Sequence, residues 1–293
     1  MDSLKPEIEI LPFFLSARQT VWSWSQLSDV LNDMRSGWGV PDTYNVGHLI
    51  ENLSQTDPKL KKVTLDFSFM PVTRYWCREP TPYEVAMTIR PRGYISHASA
   101  MHLHGLSRNS SSVIYYNVEQ PNKGNPAAKL KQESIDRAFN RIPRISNNIA
   151  SYDDWTICVI NGKDTEDLGT ITRKFPVHGT LRLTSLERTL IDIVVRPAYA
   201  GGVADILYAY QKALDCVNLH DLYNMLGRLS YIYPYHQSIG FLLERAGLLD
   251  NIALELFRDP GLKYDFYLDY QMESPAYSKE WRVHYPKELD VIA

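Results

Sequence analysis

The densest set of chemistry-bearing side chains lies between Thr184 and Gly202, where Glu187, Arg188, Asp192, Arg196 and Tyr199 interrupt an otherwise apolar run. Arg188 and Asp192 stand one helical turn apart, the spacing at which a guanidinium and a carboxylate pair. Leu186, Leu190, Ile191, Ile193 and Val194 supply an apolar face. Thr184 or Ser185 can cap the helix, with Glu187 three residues after Thr184 as a capping box requires. Pro197 ends it, and Gly201-Gly202 turns the chain. Two readings follow: a core helix whose charges satisfy each other, or a polar surface of Arg188, Asp192, Arg196 and Tyr199 that meets a partner.

His97, His102 and His104 invite a metal reading, which their spacing does not support. On a helix His97 and His104 share a face, His102 points away, and no nearby Cys or Glu completes a set. No metal and no cofactor are therefore expected. The chain lacks a phosphate-binding glycine loop, a nucleophile elbow, a His-Glu-x-x-His or Cys-x-x-Cys pair, and the Asp-x-Asp of nucleotidyl transfer. Neither Ser96-His97 nor Glu187-Arg188 makes a catalytic set without geometry. The positive case for an enzyme is absent, and a non-enzymatic function is expected.

The most basic stretch contains Lys123, Lys129, Lys131, Arg137, Arg141 and Arg144, against only Glu133 and Asp136. It suits phosphates, an acidic protein face or simple solvation. Elsewhere the charge is even or acidic. Residues 1–90 carry 9 Lys/Arg and 11 Asp/Glu, residues 91–180 carry 11 and 8, and residues 181–293 carry 11 and 15. Nucleic-acid binding would have to come from local patches rather than from a global field.

The elements that would position these groups can be read in order. Leu11, Phe13, Phe14 and Leu15 form a helix or anchor. Ser23 caps a helix with Gln26 at its third position, and Leu27, Val30, Leu31 and Met34 make its stripe. Gly37–Pro41 breaks it, and a second helix runs roughly from Thr43 to Gln55. Alternating strands at 60–67 and 72–78 follow. Helix, break, helix and hairpin is the order of a winged helix-turn-helix, in which the front of the second helix reads the major groove and the wing touches backbone. The candidate DNA contacts are then Thr43, Tyr44, Asn45 and His48 on the helix, and Lys61, Lys62 and Arg74 on the wing. This unit is itself slightly acidic, with no arginine on its reading helix.

Pro80 and Pro82 mark a junction. Helices are expected at 83–89, 94–106 and 132–140, and strands at 113–118, 155–160, 168–173 and 180–183. Asn161-Gly162 is expected to open a hairpin. Helices then dominate: 203–214, one beginning at Asn218 or Asp221, and 238–246 closed by Gly247. An aromatic linker, 231–237, separates the last two, and 264–270 and 281–285 are expected to pair as a final hairpin. The fold class is α+β: residues 1–80 as the winged unit, residues 81–293 as a larger mixed α/β domain of small sheet plus helical bundle.

At 293 residues, 44% hydrophobic and 22% charged, the chain has the composition of a globular protein with sizeable cores. It has no apolar run long enough to span a membrane and no signal-like start. Three scattered cysteines, Cys77, Cys158 and Cys216, argue against a disulfide framework and fit a reducing cytoplasm.

Five phrases in order resemble the AbiEi family, antitoxins of type IV toxin–antitoxin and abortive-infection (antiviral defence) systems. They are Tyr94–Leu106; Glu119-Gln120 with Gln132–Phe139; Glu187–Gly202; Tyr233–Phe241 with Leu243-Glu244-Arg245; and Asp265–Leu268 with Trp281–Pro286. The likeness is strong over roughly 80–290 and architectural over 10–80. It implies an autorepressor whose winged helix binds inverted repeats in its own promoter. The basic face of the second domain, here Lys129, Lys131, Arg137 and Arg141, would assist. It also implies that the second domain counters a nucleotidyltransferase-like toxin without a required stable complex. Arg188, Asp192, Arg196 and Tyr199 are the residues singled out for that role. Two alternatives stay open: a winged helix that binds protein rather than DNA, or an enzyme reversing the toxin's modification with a group among Glu187, Arg188, Asp192 and His236.

Overall fold

The computed structural model describes residues 7–121, 129–249 and 251–292, so Lys123 of the basic stretch lies outside the described residues. The chain begins with α1 (Glu7–Ser16) and α2 (Trp24–Met34). Ser23 and Gln26 close the expected capping box on α2, which buries Leu27 and Leu31. Trp38 in the following turn is buried against Phe13 and Phe14 of α1. Helix α3 (Val46–Ser54) starts later than its pattern suggested, because Asn45 is its cap and not part of it. Strands β1 (Lys61–Asp66) and β2 (Pro71–Trp76) then form an antiparallel hairpin, with Val63 opposite Arg74.

Thr81 and Glu84 build a capping box around Pro82 and start the short α4 (Pro82–Ala86). Residues 94–106 do not form one helix as expected. Tyr94 and Ile95 are strand β3, pinned between two other strands and fully buried. The chain reverses at Ser96 and His97, where His97 takes φ +51°, before α5 (His97–Leu103). Next come β4 (Val113–Gln120), α6 (Gln132–Phe139), β5 (Ile149–Tyr152) and β6 (Trp155–Lys163).

Asn161-Gly162 opens no hairpin, since β6 runs straight through it. Gly162 is there for close approach: a Cβ would stand 2.6 Å from the side chain of Asn117 on β4. The turn is made instead by Asp153-Asp154, with Asp153 at φ +48°. Strands β7 (Thr170–Phe175) and β8 (Gly179–Thr184) complete a mixed six-stranded sheet in the order β5-β6-β4-β3-β8-β7.

Helix α7 (Leu186–Val195) follows β8 directly. Thr184 belongs to the strand, so Ser185 is the cap, accepting from Arg188 N. A single 3-10 turn, Pro197–Tyr199, leads to α8 (Val203–Ala213), and Asn218 caps α9 (Leu219–Leu229). Helix α10 (Tyr235–Arg245) begins inside what its sequence suggested was an aromatic linker, and α11 (Asn251–Arg258) was not anticipated. At the end, β9 (Phe266–Tyr267) pairs with β11 (Val283–Tyr285) in parallel, while β10 (Ala276–Ser278) is antiparallel to β11. The expected final hairpin is therefore replaced by a three-stranded sheet, followed by α12 (Leu289–Ile292).

Gln237 at the start of α10 holds this sheet, its Nε2 donating to Tyr264 O and Trp281 O, both at 2.8 Å. Helices α7 to α11 and the terminal sheet share one apolar core around Leu190, Ile239 and Trp281. A second core lies beneath the six-stranded sheet and takes in Leu65, Phe67, Val72 and Trp76 from the hairpin β1-β2. The expected division near residue 80 is thus crossed by packing: Trp76 meets Tyr152 edge-on at 5.9 Å, and Thr20 donates to Glu84 at 2.9 Å. The architecture is mixed α and β, with helices and sheets segregated as in α+β proteins. No helix among the described residues is long and apolar enough to cross a membrane.

Candidate functional site

Helix α7 carries its charges inward. Arg188 Nε donates to Asp192 Oδ1 at 2.8 Å, and their side chains are 5% and 7% exposed. Arg188 Nη1 also donates to Leu168 O and Thr165 Oγ1. Next to them Glu119 accepts from Thr165 N (2.8 Å), Asp167 N (3.2 Å), Tyr94 Oη (2.9 Å) and Thr165 Oγ1. Burial pushes the Glu119 carboxyl up, but these donors outweigh it and hold it below its ordinary value. Burial alone would lower the Arg188 guanidinium; Asp192, Tyr94 and Tyr231 together outweigh that and keep it charged. Burial raises Asp192 against the pull of Arg188 and Arg196. This arrangement knits β4, the 164–169 loop and α7 together, and it presents neither Arg188 nor Asp192 as surface.

The other end of α7 is different. Arg196 is half-buried at the C-cap, its guanidinium 5.9 Å from the ring centroid of Tyr199. Tyr199 is buried rather than exposed, packed against His97 at 5.4 Å and Tyr115 at 5.3 Å. Its hydroxyl accepts from Ser146 N at 2.7 Å, which ties the loop between α6 and β5 to the end of α7. That loop brings Arg141 and Arg144 to the same place. Together with Arg196 they line a cleft of about 420 Å³, whose remaining walls include Ile142, Tyr233 and Tyr270. Phe139, the last residue of α6, anchors the aromatic side by stacking on Tyr270 at 4.6 Å and meeting Tyr233 edge-on at 5.6 Å. The four residues singled out on α7 therefore divide. Arg188 and Asp192 are interior, Tyr199 is a buried strut, and only Arg196 reaches open space.

Beneath this cleft lies His97. Its Nδ1 is 2.8 Å from Ser96 Oγ, and burial, then Arg196 and Arg188, push its pKa down to about 3. Ser96 is completely buried. The pair is a neutral interior hydrogen bond, and neither atom is presented to a substrate. The groups considered for an enzymatic role are likewise scattered: Glu187 accepts from Ser185 Oγ, while His236 Nε2 lies 3.3 Å from Gly261 O. Among the described residues no group of three or more His, Cys, Asp or Glu is placed to hold a metal ion.

Of the basic stretch, Lys129, Lys131, Arg137, Arg141 and Arg144 are exposed. Among the described residues none of them, nor Arg196, forms an ion pair. Lys131 stands at the N-cap of α6 and Arg137 in its last turn. At the other end of the chain, Thr43, Asn45 and His48 are exposed at the front of α3, with Tyr44 half-buried beside His48. Asn45 Oδ1 accepts from His48 N, and Asn45 N donates to His48 Nδ1, so both side chains are held in place. On the hairpin, Lys62 is exposed, Lys61 pairs with Glu79, and Arg74 is turned inward. Arg74 donates to Thr88 Oγ1 and Thr88 O, a bracket between β2 and the turn after α4 rather than a free cation.

The cleft was only partly legible in the sequence. Arg144 was visible as one of a run and Tyr233 as the start of a phrase shared with the resembled family, but nothing in the sequence assigned Tyr233 or Tyr270 to a site. Residues 231–237 resembled a linker, because Pro234 interrupts any periodic pattern there.

No family model and no curated protein matches the chain. Among solved structures it is similar to the RV2827C protein from Mycobacterium tuberculosis, with a TM-score of 0.60 and 13% identity over 97% of this chain and 92% of that one. At that identity the likeness shows the fold alone, a mixed α/β architecture shared along nearly the whole of both chains.

Proposed function

We propose that this chain is an AbiEi-like antitoxin that represses its own promoter and counters a nucleotidyltransferase-like toxin. In this reading α2, α3 and the hairpin β1-β2 act as a winged helix on inverted-repeat DNA. The observation that carries it is the front of α3, where Thr43, Asn45 and His48 are exposed together on a capped, rigid helix end. An α-helix presented this way can enter a major groove by its first turn. Lys129, Lys131 and Arg137, which form no ion pair among the described residues, add a phosphate-binding face elsewhere on the molecule.

The test is retardation of promoter DNA containing an inverted repeat. Replacing Thr43 and Asn45 by Ala should abolish sequence preference. Each of Lys129→Glu, Lys131→Glu and Arg137→Glu should weaken binding to all sequences and lower the salt slope by about 1 per lost contact. Retardation indifferent to all these changes would remove the proposed surfaces.

A second reading is favoured by the hairpin itself. With the Arg74 donors taken up by Thr88 and Lys61 paired to Glu79, Lys62 is the wing cation with neither a side-chain hydrogen bond nor an ion pair among the described residues. A wing so poor in free charge suits contact with protein. That reading predicts rescue of cells from the toxin with no promoter retardation.

A further inference from the structure

The cleft at the end of α7 has the volume of a small-ligand pocket rather than of a duplex-binding surface, and it concentrates positive charge. Arg141 and Arg144 come from one loop and Arg196 from the C-cap of α7, and no carboxylate is among the residues that line it. Asp192, buried behind the cleft and held by Arg188, attracts Arg196 from within, so the three arginines line the open space with no carboxylate facing them there, and an anion bound in it would be drawn by their charge. The planar fork of arginine matches phosphate oxygens two at a time. The lining is also aromatic: Tyr233 and Tyr270, both half-buried, are held by Phe139, edge-on to Tyr233 and stacked on Tyr270, and rings of this kind are those on which nucleobases pack. Ile142, 76% exposed between Arg141 and Arg144, adds an apolar side chain to the lining. The volume, about 420 Å³, is in the range of small-ligand pockets.

We infer that this cleft binds a nucleoside 5′-polyphosphate. The phosphates lie among Arg141, Arg144 and Arg196, and the base lies against Tyr233 and Tyr270. The site goes beyond the antitoxin reading and does not depend on it: promoter retardation is read at α3 and at Lys129, Lys131 and Arg137, outside the cleft, and Arg141, expected to assist DNA binding and also lining the cleft, is left unchanged in both tests.

Titration calorimetry on the full chain, with ATP, AMP, inorganic triphosphate and a 5′-triphosphorylated tetraribonucleotide as probes, tests it. ATP and triphosphate should bind, and AMP more weakly than ATP. Arg144→Gln and Arg196→Gln should each weaken ATP by about tenfold or more. Tyr233→Ala should weaken ATP while leaving inorganic triphosphate unchanged, which separates stacking from charge. Tighter binding of the tetranucleotide than of ATP would assign the site to a strand end, and the reverse to a free nucleotide; either supports the site. Because Arg144 is exposed, its variant should fold even if the Arg196 variant does not. No binding of ATP or triphosphate up to about 1 mM, or binding unaffected by Arg144→Gln, overturns the inference. Loss of binding here with intact promoter retardation would leave the repressor reading untouched.

Discussion

Arg188 and Asp192 form a 2.8 Å ion pair one turn apart on α7, with less than a tenth of either side chain reached by solvent. A buried pair of this kind is far more sensitive to losing one partner than to losing both, because the survivor is left as an unmatched interior charge. Arg188→Ala or Asp192→Ala should therefore cost about 3–5 kcal/mol in urea unfolding. Joint replacement by Met and Leu should recover much of that. If the double variant folds and keeps the proposed antitoxin activity, the pair serves structure alone. If it folds and loses that activity, the charges serve function.

His97 is neutral in the folded protein, its pKa pushed down to about 3 by burial and by Arg196 and Arg188. The unfolded chain takes up a proton on this residue near pH 6.5, where the folded one does not. The contribution is fully present above that pH and is lost progressively as the pH falls toward 3, by about 2 kcal/mol at pH 5. Burial lowers His104, His178, His236 and His284 as well, and their contributions carry the same sign. Thermal melts at pH 7.5 and pH 5 should show a loss of Tm on acidification. In His97→Asn, whose side chain tolerates the positive φ, that loss should be smaller. An unchanged acid shift in this variant would place the effect on the other histidines.

Two helical glycines should respond in opposite ways to alanine. A Cβ at Gly240 would stand 2.1 Å from Cζ3 of Trp281. That ring cannot withdraw, because Nε1 donates to Glu244 Oε2 at 2.9 Å and the Arg258 guanidinium lies over it at 4.4 Å. Gly240→Ala should destabilise by about 3 kcal/mol or more. At Gly227, on α9, a Cβ meets nothing within 4 Å. Gly227→Ala should stabilise by about 0.5–1 kcal/mol through helix propensity and a less flexible unfolded chain. Parallel urea titrations of the two variants check both signs.

Removing residues 1–80 should not leave an independent remainder. Leu65, Phe67, Val72 and Trp76 fill the core under the six-stranded sheet, and Tyr152 loses its edge-on contact without Trp76. The truncated chain should bind a hydrophobic dye and unfold with lower cooperativity than the full chain. A truncated chain that melts cooperatively and binds no dye would make the shared core dispensable. Tests of the proposed antitoxin activity are accordingly better made with point variants in the 293-residue chain than with truncations.

The local elements were legible wherever a short-range rule governs them. The capping residues Ser23 and Asn218, the stripe of α8 and the stop at Pro197 are all decided by neighbours along the chain. So was the inward face of α7, since Leu190, Ile191 and Ile193 leave little room for any other orientation. What failed was decided across the chain. Tyr94-Ile95 is a strand because β4 and β8 hold it from both sides, and Gly162 continues β6 because Asn117 needs the space. Parallel pairing of β9 with β11 depends on Gln237, which stands on a helix between them and the rest of the core. The charged residues divide in the same way. Pairing of Arg188 with Asp192 was readable from a spacing of four. The meeting of Arg196 with Arg141 and Arg144 was not, because the loop that carries them is held by long-range hydrogen bonds, Ser146 N to Tyr199 Oη and Ser146 Oγ to Val159 O among them, that no periodicity in the sequence encodes.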